Sequence, residues 1–313
     1  MYRLFFVIIS LLTLSTVLGQ TVTNNVLTSE HQNIFGTKIS LIPPKGFIKA
    51  TNFLGLQQAQ SGSSIMVLDI PGPFSETSKG LTKEGFLSQG IEVKEIEKLT
   101  LNNLPAILVT GEQNAQGNVY TKYVLCFGTD SETIMINGAF PVNLKEIGKD
   151  MKSSLLTCYY DANKKINPFD VVDYEVSVSK SKLIFAKSMS NSLIFTVDGI
   201  IPTKSSDKTS LIIAKSFSKT NVEDRKLFAL NRLKQLPSQI TKTENINEIT
   251  IDGISGFEIV ATGKDRKNGE EQKIYQVILF SDSLYYIFLG STNNDFDNNI
   301  NELKKVVKTF KRK

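Results

Sequence analysis

The sequence predicts an α+β protein built from two tandem copies of one domain, each an antiparallel sheet with packed helices. Three observations predict it: an internal match at a spacing of 152 residues, β-rich runs joined by short turns, and an amphipathic helical pattern at the end of each copy. We expect a signal peptide at residues 1–19, a first domain at 20–162, a linker at 163–170 and a second domain at 171–313.

Residues 1–19 have the pattern of a cleavable export signal. Arg3 precedes an unbroken run of apolar and small hydroxyl residues at 4–18, which is 15 residues long and therefore shorter than the ~20 residues that a membrane-spanning helix needs. The small residues at 17–19 predict cleavage between Gly19 and Gln20. An uncleaved anchor or a buried helix is the alternative. Cleavage would leave a chain without a membrane span, located in the periplasm or secreted.

The duplication is visible as a match without gaps between residues 110–158 and 262–310. Nine of the 49 positions are identical, about three times the number expected from a chance frequency of roughly 6% per position. The identities include Tyr123/Tyr275, Gly138/Gly290 and Lys152/Lys304. Residues 101–104 match 251–254 at a shift of 150. The polar stretch that ends at Pro168 predicts the boundary between the copies.

The first copy contains a predicted helix at 79–89, two strands at 119–127 and 133–140, and a closing helix capped by Asn143. The buried stripe of that closing helix is predicted to consist of Leu144, Ile147, Met151, Leu155 and Cys158. The second copy repeats the plan, with a helix at 222–236, strands at 274–280 and 284–289, and a closing helix capped by Asp295. Short turns between the strands predict antiparallel neighbours.

The composition excludes several kinds of chemistry. His31 is the single histidine, and with two cysteines it cannot form a His-based zinc site or a Cys/His cluster. Phosphate-binding and nucleophile-elbow motifs are absent from the sequence. The lysines and arginine of the last ten residues complement a helix dipole better than they indicate nucleic acid or lipid binding. We predict no catalytic residue, metal, cofactor or nucleic-acid partner.

Cys126 and Cys158 are an even pair in a chain predicted to be exported, where a disulfide can form. At a shift of 152 they correspond to Ile278 and Phe310. If those two side chains touch in the second copy, the cysteines can touch in the first. Two separate buried thiols are the alternative.

The segments at 39–47 (ISLIPPKGF), 64–68 (SIMVL) and 101–106 (LNNLPA) resemble the PsbP-like superfamily, which includes bacterial envelope proteins similar to DcrB. The resemblance covers both copies, although Tyr174 is not followed by the Pro-Gly-aromatic element. It implies that each copy is an α/β/α sandwich around an antiparallel sheet, and that the function is binding or assembly support rather than catalysis. We therefore expect an exported, non-catalytic binding or accessory module of the cell envelope, with an envelope protein or a small ligand as its partner.

Two alternatives stay open. One is an enzyme with a carboxylate-based site in an interdomain cleft, which a buried acidic pair facing a deep pocket would favour. The other is a chaperone-like structural protein, which a large exposed apolar patch would favour.

Overall fold

The computed structural model describes residues 21–115, 117–189, 191–217 and 221–313. The predicted signal peptide and its cleavage site lie outside these residues. The helices are α1 Phe74–Thr77, α2 Lys83–Leu87, α3 Lys145–Leu156, α4 Pro168–Val171, α5 Arg225–Lys234 and α6 Phe296–Val307, with a 3-10 turn at Ser78–Gly80. The strands are β1 Thr21–Thr23, β2 Gln32–Asn33, β3 Ile39–Leu41, β4 Ile48–Lys49, β5 Gly55–Gln58, β6 Ser63–Pro71, β7 Ile91–Leu101, β8 Leu104–Ala115, β9 Asn118–Gly128, β10 Glu132–Pro141, β11 Tyr159–Tyr160, β12 Tyr174–Glu175, β13 Ile184–Met189, β14 Ser192–Thr196, β15 Ser210–Lys215, β16 Ser238–Ile251, β17 Ile254–Asp265, β18 Glu271–Ser281, β19 Leu284–Thr292 and β20 Lys311–Arg312.

The two large sheets have the same strand order. The first runs β1-β7-β8-β9-β10-β6-β5-β4, and the second, written in the same direction, runs β16-β17-β18-β19-β15-β14-β13. Strand β1 is the extra member of the first sheet, and it pairs parallel with β7. All other strand pairs found in the described ranges are antiparallel. The short pairs correspond as well, since β11 pairs with β3 as β20 pairs with β12.

The strand register corrects part of the predicted internal match. Thr110 lies opposite Tyr123, and Val260 lies opposite Tyr275. Strand β8 therefore corresponds to β17 at a shift of 150, whereas β9 corresponds to β18 at a shift of 152. The difference lies in the β17–β18 turn, which is two residues longer than the β8–β9 turn. Matching Thr110 with Thr262 was wrong, because a gapless comparison cannot place that insertion.

Each sheet buries apolar side chains on both faces. The closing helices α3 and α6 contact β9 and β10, and β18 and β19, respectively. One core cluster beneath α3 includes Met151 and Leu155, and its counterpart beneath α6 includes Leu303 and Val307. On the opposite faces α2 contacts β7 and α5 contacts β17 and β18. The molecule is thus a mixed α/β structure of antiparallel sheets, as the alternation of β-rich runs and amphipathic helices predicts.

The identity Gly138/Gly290 has a packing cause. A Cβ atom at Gly138 would lie 2.5 Å from the Met151 Sδ, and a Cβ atom at Gly290 would lie 2.7 Å from Leu303 Cδ1. Met151 and Leu303 are themselves equivalent, at a shift of 152. In both copies the closing helix therefore rests directly on the backbone of a sheet strand, which only glycine allows without repacking.

Two local predictions need correction. The helix predicted at 79–89 is broken, because the Thr82 hydroxyl accepts a hydrogen bond from the Gly85 N–H at 3.1 Å and starts a new helix, α2. Asn143 does not cap α3; Leu144 is the residue before the first turn, and it provides no side-chain cap. Asp295 does precede α6, but its carboxylate accepts from the Asn298 side chain at 2.9 Å rather than from the backbone.

Candidate functional site

A cleft of about 860 Å³ lies between the two large sheets. Its apolar floor comes from the first half of the chain, through Leu54, Val67 and Ile134. Residues 185–188 of β13 form one wall, and the segment at 162–168 forms another. The structure therefore places most of the predicted linker against a cavity. We call this cavity the cleft.

Asp69 is the carboxylate that lines the cleft. Its Oδ1 atom is buried and has no hydrogen-bond partner among the described residues. Burial is the main cause that raises the pKa of Asp69, and the nearby Glu132 carboxylate raises it further, while Lys187 and Lys38 act in the opposite direction. A buried acceptor without a partner costs free energy.

Glu132 lies next to Asp69 but is fully engaged. Lys38 Nζ lies 2.7 Å from its Oε1 atom, and the Tyr160 hydroxyl donates to the same oxygen. Burial tends to raise the pKa of Glu132, but these two hydrogen bonds outweigh it and lower the pKa. Asp69 pairs with Ile134 across β6 and β10, two residues from Glu132, so Asp69 and Glu132 are diagonal neighbours on one face of the sheet.

The second copy holds an equivalent cluster with its charges reversed. Asp69 lies opposite Ile134 and Lys215 lies opposite Tyr286; since 286 − 134 = 152, Lys215 occupies the position of Asp69. Asp173 likewise occupies the position of Lys38. The main-chain carbonyl of Lys38 accepts a hydrogen bond from the residue that follows β11, and the main-chain carbonyl of Asp173 accepts one from the residue that follows β20. Lys215 and Asp173 form an ion pair with each other. In the first copy Glu132 takes Lys38 instead, and Asp69 Oδ1 keeps no partner.

The walls of the cleft are basic. Four lysines line it against one carboxylate: Lys38, Lys164, Lys165 and Lys187. Lys38 is neutralised by Glu132, and Lys164 Nζ contacts the Asn33 Oδ1 at 2.5 Å. Lys165 and Lys187 form no ion pair within the described ranges. The cleft therefore carries a net positive charge.

A smaller cavity of about 170 Å³ shares Leu54 and Val171 with the cleft and continues it between the two halves. We call it the side pocket. Asn191 lines it, and the Asn191 Nδ2 donates to the Lys215 carbonyl at 2.7 Å. The Oδ1 atom of Asn191 is buried and lacks a partner in the part of the chain that the structure describes. The two cavities are thus each lined by a residue that has one buried oxygen without a partner in the described ranges.

Four exposed apolar side chains belong to the segments that line the cleft. Phe35 and Phe169 lie next to residues that line it, and Ile184 and Met189 are the two ends of β13. Each of the four is at least 40% exposed. Aromatic and methionine side chains are enriched where proteins bind each other.

Cys126 and Cys158 are free and buried. Cys126 packs on the face of the sheet that α1 and α2 cover, whereas Cys158 belongs to the cluster beneath α3. Their counterparts Ile278 and Phe310 are separated in the same way. The disulfide considered from the sequence is therefore not formed, because the sheet lies between the two thiols. Burial raises the pKa of Cys126 to about 12 and also raises that of Cys158.

His31 is half-buried rather than fully solvated. Its Nδ1 lies 2.8 Å from the Thr28 hydroxyl, and its Nε2 lies 3.0 Å from the Thr157 carbonyl oxygen. These contacts attach the amino-terminal segment to the end of α3. His31 does not line the cleft.

Glu258 is a nearly buried carboxylate that the sequence did not single out. It accepts from the Tyr275 hydroxyl at 2.8 Å and from Lys304 at 3.1 Å, between α6 and the sheet. In the first copy the equivalent Lys152 binds Glu97 at 2.6 Å. Glu97 pairs with Leu108 across two strands, and Asn247 pairs with Glu258 at the equivalent place in the second copy. The carboxylate that binds the helix lysine therefore lies on neighbouring strands in the two copies. These contacts fix helices and line no cavity.

No group of three or more His, Cys, Asp or Glu residues in the described ranges is arranged to hold a metal ion. Within the same ranges no helix combines the length and apolarity needed to cross a membrane.

Neither a protein-family model nor a curated protein matches the sequence. Among solved structures, the immunity protein TplEi of the T6SS from Pseudomonas aeruginosa is 10% identical with a TM-score of 0.33, over 90% of this chain and 96% of its own. The Tle4–Tli4 complex matches with 10% identity and a TM-score of 0.33, over 86% of this chain and 98% of the other. A protein from Bacteroides thetaiotaomicron matches with 12% identity and a TM-score of 0.30, over 48% of this chain and about half, 53%, of its own length. Similarities at these levels assign no function.

Proposed function

We propose that this protein is an exported, non-catalytic binding module, a tandem of two PsbP-like α/β/α sandwich domains that holds a partner protein in the cleft between them. It acts in the periplasm or outside the cell. The observation that carries the proposal is the cleft itself, in which unpaired lysines and a buried acceptor without a partner line a concave surface between the two halves.

The surroundings of the cleft favour a protein over a small ligand. Phe35, Phe169, Ile184 and Met189 are exposed next to residues that line the cleft, and a small molecule inside the cleft would leave them in water. A protein partner would cover the rim and fill the cleft together. Burying apolar side chains at about 25 cal/mol per Å² would then add to the affinity.

An enzyme remains the second candidate because Asp69 and Glu132 have pKa values displaced in opposite directions. Such a displacement separates a general acid from a base in some active sites. Glu132, however, is held by Lys38 and Tyr160 and does not line the cleft. One reachable carboxyl group supports binding better than it supports acid–base catalysis.

The test is capture of a partner by the immobilised chain 20–313 from envelope and periplasmic extract of the source cell, with mass spectrometry as the readout. Ser188→Trp would fill the cleft from β13, and Ser153→Trp, at an exposed position of α3 outside the cleft, is the matched control. We expect one protein to be retained by the wild type and the control but at least tenfold less by Ser188→Trp. Equal retention by both variants would refute the use of the cleft.

A further inference from the structure

The charges of the cleft determine whether it binds an acidic or a basic ligand. Lys165 and Lys187 have no ion pair in the described ranges, and Lys164 contacts an uncharged amide. Unpaired cations that converge in a concave, partly dehydrated space attract carboxylates or phosphates more strongly than the same cations on an open surface. The occupant is therefore acidic.

The main chain distinguishes a peptide from other acidic polymers. A peptide carries an N–H donor at each residue, about 3.3 Å apart when extended. Sugar–phosphate backbones carry no N–H donor. A polypeptide is therefore the acidic polymer that can also pair through its main chain with a strand that lines the cleft.

The wall formed by β13 favours an extended conformation. In the part of the chain that the structure describes, β13 is an edge strand with β14 as its neighbour on one side. Backbone groups on the other edge are left to pair with an added strand. Residues 185–188 of this strand line the cleft.

The two copies differ in whether the equivalent charged residues form an ion pair with each other. In the second copy Lys215 and Asp173, the counterparts of Asp69 and Lys38, neutralise each other. In the first copy Glu132 has taken Lys38. The substitution leaves Asp69 in the cleft without a protein partner, although the same position is satisfied in the duplicate.

We infer that the cleft binds an acidic, extended peptide segment of the partner protein, with its carboxylates on Lys164, Lys165 and Lys187 and its main-chain N–H groups paired with the backbone of the outer edge of β13. This inference rests on the proposed function and names the part of the partner that is recognised.

The test uses fluorescein-labelled hexaglutamate and the chain 20–313, with fluorescence anisotropy as the readout. We expect saturable binding that weakens at least tenfold in the triple variant Lys164→Glu/Lys165→Glu/Lys187→Glu. The triple variant Lys83→Glu/Lys145→Glu/Lys234→Glu makes the same change of charge at exposed positions outside the cleft and should bind as the wild type does. Equal losses in both variants would overturn the inference.

A second probe isolates the main chain. Hexaglutamate with N-methylated amides keeps its carboxylates but lacks N–H donors, so we expect it to bind at least tenfold more weakly. Equal binding of the methylated peptide, or tighter binding of oligo-deoxythymidine or anionic lipid vesicles, would overturn recognition of a peptide. Capture of a partner that depends on the cleft, without hexaglutamate binding, would leave the proposed function standing and remove this inference alone.

Discussion

Gly290→Ala is the substitution whose cost can be worked out most directly from the structure. The new methyl group would lie 2.7 Å from Leu303 Cδ1 and 3.2 Å from Leu303 Cδ2, whereas carbon atoms prefer about 3.5–4.0 Å. Leu303 is fully buried beneath α6 and cannot swing into solvent. Overpacking of this kind costs about 1–3 kcal/mol of unfolding free energy. Gly138→Ala should cost less, because the atom it meets belongs to the flexible Met151 side chain.

A double-mutant cycle measured by urea unfolding of the chain 20–313 tests this reasoning. Leu303→Ala alone should cost about 2–5 kcal/mol through the cavity it leaves. The pair Gly290→Ala/Leu303→Ala should cost at least about 1 kcal/mol less than the sum of the single variants, because the added methyl group occupies part of that cavity. Gly80→Ala, where no atom lies within 4 Å of the new Cβ, is the control. A neutral Gly290→Ala, or strict additivity, would refute the packing argument.

Three further predictions concern buried polar groups. Asp69→Asn should raise the free energy of unfolding near neutral pH. Burial and Glu132 raise the pKa of Asp69, so the wild-type folded protein loses stability as the pH rises from the ordinary pKa of 3.8 through the raised pKa. Urea unfolding should therefore show that the variant is more stable at neutral pH but not below pH 3.8, and destabilisation by the substitution at neutral pH would contradict this. Cys126 and Cys158 should react with Ellman's reagent only as fast as the chain unfolds, and rapid labelling of the native protein, or a mass lower by two hydrogens, would contradict their burial as free thiols. Glu258→Gln should lower the free energy of unfolding by about 1–3 kcal/mol because Lys304 then loses its nearly buried partner. Glu97→Gln should lower it by about 0.2–1 kcal/mol because the Lys152–Glu97 pair is about one-third exposed. Equal losses of stability in urea unfolding would count against burial as the cause of the difference.

The parts of the fold that depend on period and turn chemistry could be predicted from the sequence. The helical spacing of Ile300, Leu303 and Val307 predicts one buried face at the end of the second copy, and all three are buried in α6. The strands on either side of the turn at 281–283 also lie where alternation and turn residues predict them. Prediction was wrong where a single side chain decides a boundary. Thr82 is one case, since its hydroxyl divides a segment whose apolar pattern is continuous.

The site could not be predicted because it is formed by distant segments that carry no common motif. Asp69 is one polar residue at the end of an apolar strand, and Lys187 belongs to a strand 118 residues later. The one signal was the polar stretch at 163–170, and a polar stretch with a proline is also what a linker looks like. The disulfide question had the same origin, because sequence spacing does not tell which face of a sheet a cysteine occupies.

The duplication makes the departure at Asp69 interpretable. Asp69 and Lys215 occupy the same position in the two copies, as do Lys38 and Asp173, so each copy could neutralise its own pair. The second copy does so. In the first copy Glu132 replaces Leu284 of the second and diverts Lys38, which leaves a buried oxygen unsatisfied at a cost in stability. Since that cost falls at a side chain that lines the cleft and lies outside the two core clusters of the first copy, its position agrees with a binding role better than with a role in packing.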